Sequence, residues 1–371
     1  MSPSWPANPD GKTAFRLAPV SRPVWDGFLF QWETALPYHT WEWLDFLSSV
    51  YGNTWHPLGI WKGACLVGLF PVMTRRLGPF RLAGSPLMQA IANTPFLGPV
   101  APLEHFQEIS LALEAFFHTQ RVAHTEISFP TRLSEADVAW AEDRGYLSET
   151  CEAVFLSLHN QPPQQLWMGL SNACRRAIRK AQANGVEIMV IKDDRFIETY
   201  AAMCQEVYRG SGRLSHLSET FYRKLWGILA ESDLVHGLLA TYRGQIIAGA
   251  IFLLYHQYAS YLSGASFDQW QFLRPNNLLQ WHFIEWAASH GYKTYDLGGT
   301  TIPGITRFKL SFGGQLIAYT RLHRANSSLA RIGRQVYQAT IPVWRRFQSR
   351  IETGKEGTRF QHHTVNTLKE S

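Results

Sequence analysis

Two stretches decide the fold: LGIWKGACLVGLFPVM at residues 58–73 and LLATYRGQIIAGAIFLL at residues 238–254. Each reads as an apolar strand, a tight basic-Gly turn and a second apolar strand, which is the pattern of a β-hairpin. A shift of 181 residues lays Leu58 on Leu239, Trp61 on Tyr242, Lys62 on Arg243, Gly63 on Gly244 and Gly68 on Gly249. The flanks repeat too. Before the first hairpin the spacing predicts a helix over 40–51, with Thr40 as N-cap and Trp43, Leu44 and Leu47 as its apolar stripe. Before the second it predicts one over 218–230, with Ser218 as N-cap and Phe221, Tyr222, Leu225 and Leu229 on one face. After the hairpins come helices at 103–119 and 276–290, each leading into a short strand, at 125–129 and 294–297. The order helix, hairpin, helix, strand therefore occurs twice. We read two copies of one module, at 14–158 and 165–325, with a polar, Pro-containing joint at 159–165.

The chain has 371 residues, of which 46% are hydrophobic and 17% charged, enough to bury a sizeable core without disulfides or metal. The net charge of +6 is unevenly placed. Residues 321–371 hold ten Lys/Arg against three Asp/Glu, or +7, which leaves the other 320 residues at −1. Basic character thus belongs to the C-terminal segment, and the body gives no electrostatic argument for nucleic-acid binding. In that segment Leu329, Ile332, Val336, Val343, Phe347 and Ile351 recur at near-helical spacing among arginines, with Pro342 as an interruption. Residues 326–371 are therefore expected to form an amphipathic basic helix and tail. This helix packs on the body, or it lies on an anionic membrane surface or tRNA phosphates. Cys65, Cys151, Cys174 and Cys204 stand alone, so no metal site is expected. The opening residues show no charged region followed by an apolar one, and the apolar runs near 66–73 and 246–255 are too short to span a bilayer. A cytoplasmic location is the expectation.

Walker A, zincin, nucleophile-elbow and Rossmann motifs are absent, which disfavours NTPase, zinc protease, serine hydrolase and dinucleotide-dependent activities. What the chain does carry is LSNACRRAIRKAQANGVEI (170–188), GAS after Tyr261, GYKTYDLGG (291–299) and TRFKLSFGG (306–314). Together these resemble the second domain of FemAB-like proteins, tandem GNAT-fold acyl- and aminoacyltransferases related to the enzymes that build peptidoglycan cross-bridges. The resemblance covers about residues 15–320 and is most specific from 171 to 314. It implies an α/β (α+β) architecture of two tandem GNAT-like modules, each a mixed, mostly antiparallel sheet with flanking helices. It also implies transfer of an activated acyl or aminoacyl group onto an amine or hydroxyl of a cell-envelope precursor, either peptidoglycan or polysaccharide. Acyl-CoA-dependent N-acetylation of a small amine or sugar is the alternative, as is a non-catalytic GNAT-fold binding protein. No tightly bound cofactor is implied; the donor, aminoacyl-tRNA or acyl-CoA, is a co-substrate.

The resemblance assigns Phe308 and Lys309 to the catalytic channel, with the Lys309 ammonium stabilising the negative charge that acyl transfer develops on the carbonyl oxygen. Asp296 closes a short apolar strand ahead of two glycines. It reads as a substrate-amine ligand or proton acceptor, or as a local cap of the Gly-rich turn. Arg213 and Tyr261 match positions that contact the precursor in the family, and Tyr222 follows Arg213 at the family's spacing. Arg175, Arg176, Arg179 and Lys180 fall on one broad helical face, where they either meet donor or acceptor phosphates or form a solvated surface. Acetyl-CoA enzymes hold a pyrophosphate on a Gly-rich loop at a helix N-terminus. Here the segment is Arg274-Pro275-Asn276-Asn277, with the Arg kept and both glycines replaced, so weak acetyl-CoA binding is expected.

Overall fold

The computed structural model describes residues 15–90, 93–211 and 218–326. The first half runs β1 (Phe15–Pro19), α1 (Arg22–Gln31), α2 (Trp41–Tyr51), β2 (Thr54–Lys62), β3 (Cys65–Leu77), β4 (Phe80–Ser85), α3 (Phe106–Thr119), β5 (Val122–Ser128), α4 (Glu135–Asp143) and β6 (Leu147–Ser157). After two helices at the joint, α5 (Pro163–Gly169) and α6 (Asn172–Ala183), the second half repeats that order. It comprises β7 (Glu187–Val190), α7 (Ile197–Ser211), α8 (Glu219–Leu229), β8 (Val235–Tyr242), β9 (Gln245–Tyr255), β10 (Tyr258–Ser266), α9 (Pro275–Ser289), β11 (Thr294–Gly299), α10 (Pro303–Leu310) and β12 (Gln315–Ala325). The caps are those the residue types demand: the Thr40 hydroxyl accepts from the Trp43 N–H, and Ser218 accepts from Phe221.

The twelve described strands form one sheet in the order β1-β2-β3-β4-β5-β12-β6-β11-β10-β9-β8-β7. This order is two-fold symmetric about the β12–β6 pair, and the pairing types match across it. Both hairpins are antiparallel, while β4–β5 and β10–β11 are parallel. The sixth strand of each half is exchanged: β6 pairs with β11, and β12 pairs with β5. Division of the chain at 159–165 therefore separates sequence repeats, whereas in the sheet each half is completed by a strand from the other. Strand β12 is fastened there by Arg324, which donates to Glu114 at 2.8 Å and lies over the Tyr146 ring at 4.4 Å.

The hairpins are equivalent, but with an offset of 180 residues instead of 181. Lys62 pairs with Cys65, and Tyr242 pairs with Gln245; both hairpins bulge one step inward, at 60/61 and at 240/241. The one-residue slip comes from the turns. Gly63 is the first turn residue, with φ 61°, whereas in the second hairpin Arg243 and Gly244 both have positive φ, the requirement of a type I′ turn. Aligning the two glycines thus shifts the strands out of register.

One face of the sheet carries α1, α2, α7 and α8 over a single core that joins the halves, containing Trp25, Trp43, Phe46, Tyr200, Phe221 and Leu225. On the other face α3 and α4 cover the first half around Phe106 and Phe117, and α5, α6 and α9 cover the second around Ile178, Phe252 and Phe283. No helix of the described residues is long and apolar enough to cross a membrane. The basic segment discussed above lies outside the described residues from position 327 onward.

Candidate active site

In the second half the parallel strands β10 and β11 pair only over Tyr258–Ser260 and Thr294–Asp296. Both then part, and each bulges against its other neighbour where it does so: β10 between Tyr261 and Ser263, β11 between Asp296 and Gly298. The result is a notch with Ser260 and Asp296 at its apex. Among the described residues the first half shows no open counterpart. There β4 stays paired with β5 to its last residue, Ser85, and the chain folds back so closely that a Cβ on Gly84 would meet Pro86 O at 2.6 Å.

Asp296 is fully buried at the apex. Its Oδ1 accepts from the Gly298 N–H at 2.7 Å and its Oδ2 from the Tyr258 hydroxyl at 2.9 Å. Ser260 also reaches the carboxyl, and the Tyr38 hydroxyl lies beside it, 2.6 Å from Ser260 Oγ. Burial pushes the carboxyl above its ordinary value, while the Gly298 N–H, Tyr258 and the positive charge of Lys309 pull it back. The carboxyl thus caps the Gly298 turn and also faces the Lys309 ammonium.

Lys309 sits on α10 and is only 7% exposed. It projects back under the end of β11, where its Nζ donates to Gly299 O at 2.7 Å. Gly298 has φ 84°, and a Cβ there would lie 3.2 Å from Nζ, so glycine gives both the turn and the room for the ammonium. Burial draws the Lys309 pKa down to about 8 against the opposing pull of Asp296. Between that value and the ordinary 10.5 the unfolded chain binds the extra proton. Stability therefore rises with pH across this window. The parent protein is expected to gain on the order of 1–3 kcal/mol relative to Lys309→Met between pH 8 and 10.5. Paired urea titrations across that range check the sign; a constant gap refutes it. Phe308 is half-buried on the adjoining side, edge-on to Phe312 at 5.0 Å.

The other residues singled out from sequence divide into three groups. Arg176, Lys180 and Arg274 line a cavity of about 420 Å³ with Asn277, Cys174 and Ser311, at the start of α9. Asn276 and Asn277 turn their amides inward, to Ser266 Oγ at 3.1 Å and to the Cys174 sulfur at 3.7 Å. Pro275 has no N–H, and that of Asn277 bonds to Arg274 O, so the first turn offers few free backbone donors. A second group is occupied elsewhere. Arg175 donates to the carbonyls of Trp167 and Met168 and so ties α5 to α6, and Arg179 lies over the Trp167 ring at 5.4 Å. Tyr222 is fully buried against Cys204 and Ser263, with no surface to offer a substrate. Tyr261 points to the opposite face of the sheet from Asp296, toward Phe252, with its hydroxyl above Gly264. Arg213 lies outside the described residues.

Sequence reasoning missed Tyr38, Tyr258 and Ser260. For the β10 pair a signal existed: residues 258 and 260 share the face opposite 259 and 261, so the strand's period of two separates Tyr258 and Ser260 from Tyr261. Tyr38 had no local signal.

The arrangement is similar to the fold of tandem GNAT proteins of known structure. The acetyltransferase (GNAT) domain family matches residues 170–310, the segment that contains α6, the notch strands and Lys309. Over 78 residues the chain is 33% identical to a lipid II:glycine glycyltransferase of Staphylococcus haemolyticus (strain JCSC1435), covering 21% of this chain and 19% of that one. The match thus spans about a fifth of the curated relative's length. The crystal structure of FemX superposes with a TM-score of 0.68 at 13% identity, covering 82% of this chain and 96% of that one. A tandem GNAT protein from the clavulanic acid biosynthesis pathway superposes at 0.51 with 11% identity, over 85% of this chain and 99% of its own. Both similarities concern the fold.

Proposed function

We propose that this chain is an acyltransferase that moves an activated acyl or aminoacyl group onto an amine or hydroxyl of a peptidoglycan or other cell-envelope precursor. The observation that carries the reading is a buried ammonium, Lys309, clamped to Gly299 O where β10 and β11 part. The similarity to a lipid II:glycine glycyltransferase supports the acceptor class.

The acceptor nitrogen or oxygen attacks the donor's carbonyl carbon, and the carbonyl oxygen takes up the electron pair. Lys309, already positive and largely desolvated, stabilises that oxyanion without waiting for solvent to reorganise. Collapse of the intermediate expels the donor's carrier as an alcohol or thiol, which leaves with the acceptor's proton. No covalent enzyme intermediate is required.

The donor is a phosphate-bearing carrier, with Arg176, Lys180 and Arg274 as the cations that meet it. Aminoacyl-tRNA fits that description better than acetyl-CoA, because the start of α9 presents side-chain cations where a pyrophosphate would need converging N–H groups. Such a donor places the enzyme in the cytoplasm. Acetyl-CoA is expected to bind weakly, with a dissociation constant well above micromolar in a calorimetric titration. Micromolar or tighter binding would reverse the choice of donor. The test of the function itself is transfer of a labelled aminoacyl group from tRNA to a lipid- or nucleotide-linked peptidoglycan precursor, with Lys309→Met as the control. No transfer to either acceptor, from aminoacyl-tRNA or acyl-CoA, refutes it.

A further inference from the structure

Tyr38 belongs to the first half, in the short turn Pro37–His39 ahead of α2, yet its hydroxyl is placed at the apex of the second half's notch. The turn that carries it is tied down on both sides. His39 is 2% exposed and spans two backbone partners, accepting from the Leu36 N–H through Nδ1 at 3.1 Å and donating from Nε2 to Leu97 O at 2.7 Å. The Tyr38 ring is 2% exposed, edge-on to Phe96 at 5.8 Å and against Trp43 at 6.0 Å. A side chain held this firmly delivers its hydroxyl to one point, and that point is Ser260, at 2.6 Å and across 222 residues of sequence. From there the contacts continue without a gap. Ser260 and Tyr38 flank the Asp296 carboxyl, which holds the Gly298 N–H, and the next residue, Gly299, gives its carbonyl to Lys309.

We infer that Tyr38 is a positioning residue for Lys309: contributed by the first half, it acts through Ser260, Asp296 and the Gly298–Gly299 turn to hold the ammonium at the mouth of the notch. The described residues of the first half form no open notch of their own, so this is how that half enters the chemistry. The role in transfer rests on the function proposed above; the placement of the ammonium does not. The groups that face Asp296 and Lys309 are Tyr38 from the turn, Tyr258 and Ser260 from β10, and, from the exchanged strand β12, Tyr319 with its neighbour Cys151 on β6.

Two measurements on the full chain test the inference. The first is competitive labelling of lysines with acetic anhydride as a function of pH, read by mass spectrometry at Lys309 against exposed Lys192. In Tyr38→Phe the ammonium is less confined, so its titration moves up from about 8 toward an ordinary lysine. The expected displacement is roughly fivefold in proton affinity, the weight of one hydrogen bond. Tyr146→Phe, a buried change in the first half away from the notch, leaves the Lys309 curve where it was. A Tyr38→Phe curve that superposes on the parent's overturns the inference, whatever happens to stability. Should Tyr38→Phe fail to fold, Ser260→Ala removes the same bond from its other end. The second measurement is a double-mutant cycle on turnover, in which Tyr38→Phe has no further effect in a Lys309→Met background. Full additivity defeats the positioning role. Absence of turnover in the parent defeats the proposed function, and the labelling result still decides the placement of Lys309.

Discussion

Lys309→Met is expected to lower turnover by about 10²–10³ while the protein stays folded, the cost of losing one oxyanion-stabilising donor. Methionine keeps the length of the side chain and fills the same half-enclosed space, but it brings no charge and leaves Gly299 O without its donor. The loss should fall on the catalytic rate more than on the apparent affinity for the acceptor, because the charge it opposes appears only as the carbonyl is attacked. The same residue fixes the pH dependence. In the proposed mechanism Lys309 acts in its protonated form, so turnover present at neutral pH is expected to be lost as pH rises through about 8. Steady-state rates for parent and variant between pH 6 and 10 check both statements. A variant that turns over like the parent removes Lys309 from the mechanism.

Asp296→Ala is expected to destabilise the protein by about 2–4 kcal/mol, because it strands the Tyr258 hydroxyl and the Gly298 N–H at a fully buried position. It also removes the negative charge that faces Lys309. Asp296→Asn should cost less, since its amide oxygen still accepts from Gly298 while the charge is lost. The parent's own carboxyl works in the opposite sense to most acidic groups. Its pKa is raised in the folded state, so its contribution to stability is greatest at low pH and is lost as pH rises through the raised value. Urea unfolding of the two variants measures the difference. Equal stabilities for Ala and Asn would mean that the hydrogen bonds at the apex contribute nothing.

Local pattern carried the reading of this chain a long way. Hairpins, capped helices and the motif at 306–314 are properties of residues close in sequence, and α2, α8, β8–β9 and the Lys309 segment are legible from them. The exchange of β6 and β12 was not, because nothing in either strand records which partner, more than a hundred residues away, it will meet. The site was legible in proportion. Asp296 and Lys309 are separated by one turn and one helix, and the motifs at 291–299 and 306–314 single both out in the sequence. Tyr38 meets Ser260 only after the whole sheet has formed. Tyr222 and Tyr261 were carried over from the family resemblance, whereas burial on α8 and the alternation of β10 decide that Tyr222 is enclosed and that Tyr261 lies on the face away from Asp296. The same alternation has a parallel in the first half. Carrying the 180-residue offset through the strand registers places Gly84, Glu126 and His323 where the second half has Ser260, Asp296 and Phe155. A buried acid survives there, now 3.9 Å from Arg321, but glycine stands where the second half has its serine.

The position of β12 has a consequence for the order of assembly. It is the last strand in sequence among the described residues and sits at the centre of the sheet, bridging β5 and β6. During synthesis on a ribosome both of those strands exist, with open hydrogen-bonding edges, for as long as it takes to make the whole second half. The first half cannot complete its sheet early and wait, as separate domains in a tandem protein can. Closure of the two halves is therefore one late event, and a chain stopped before residue 315 leaves one open edge on β5 and one on β6, the kind of edge on which other chains aggregate.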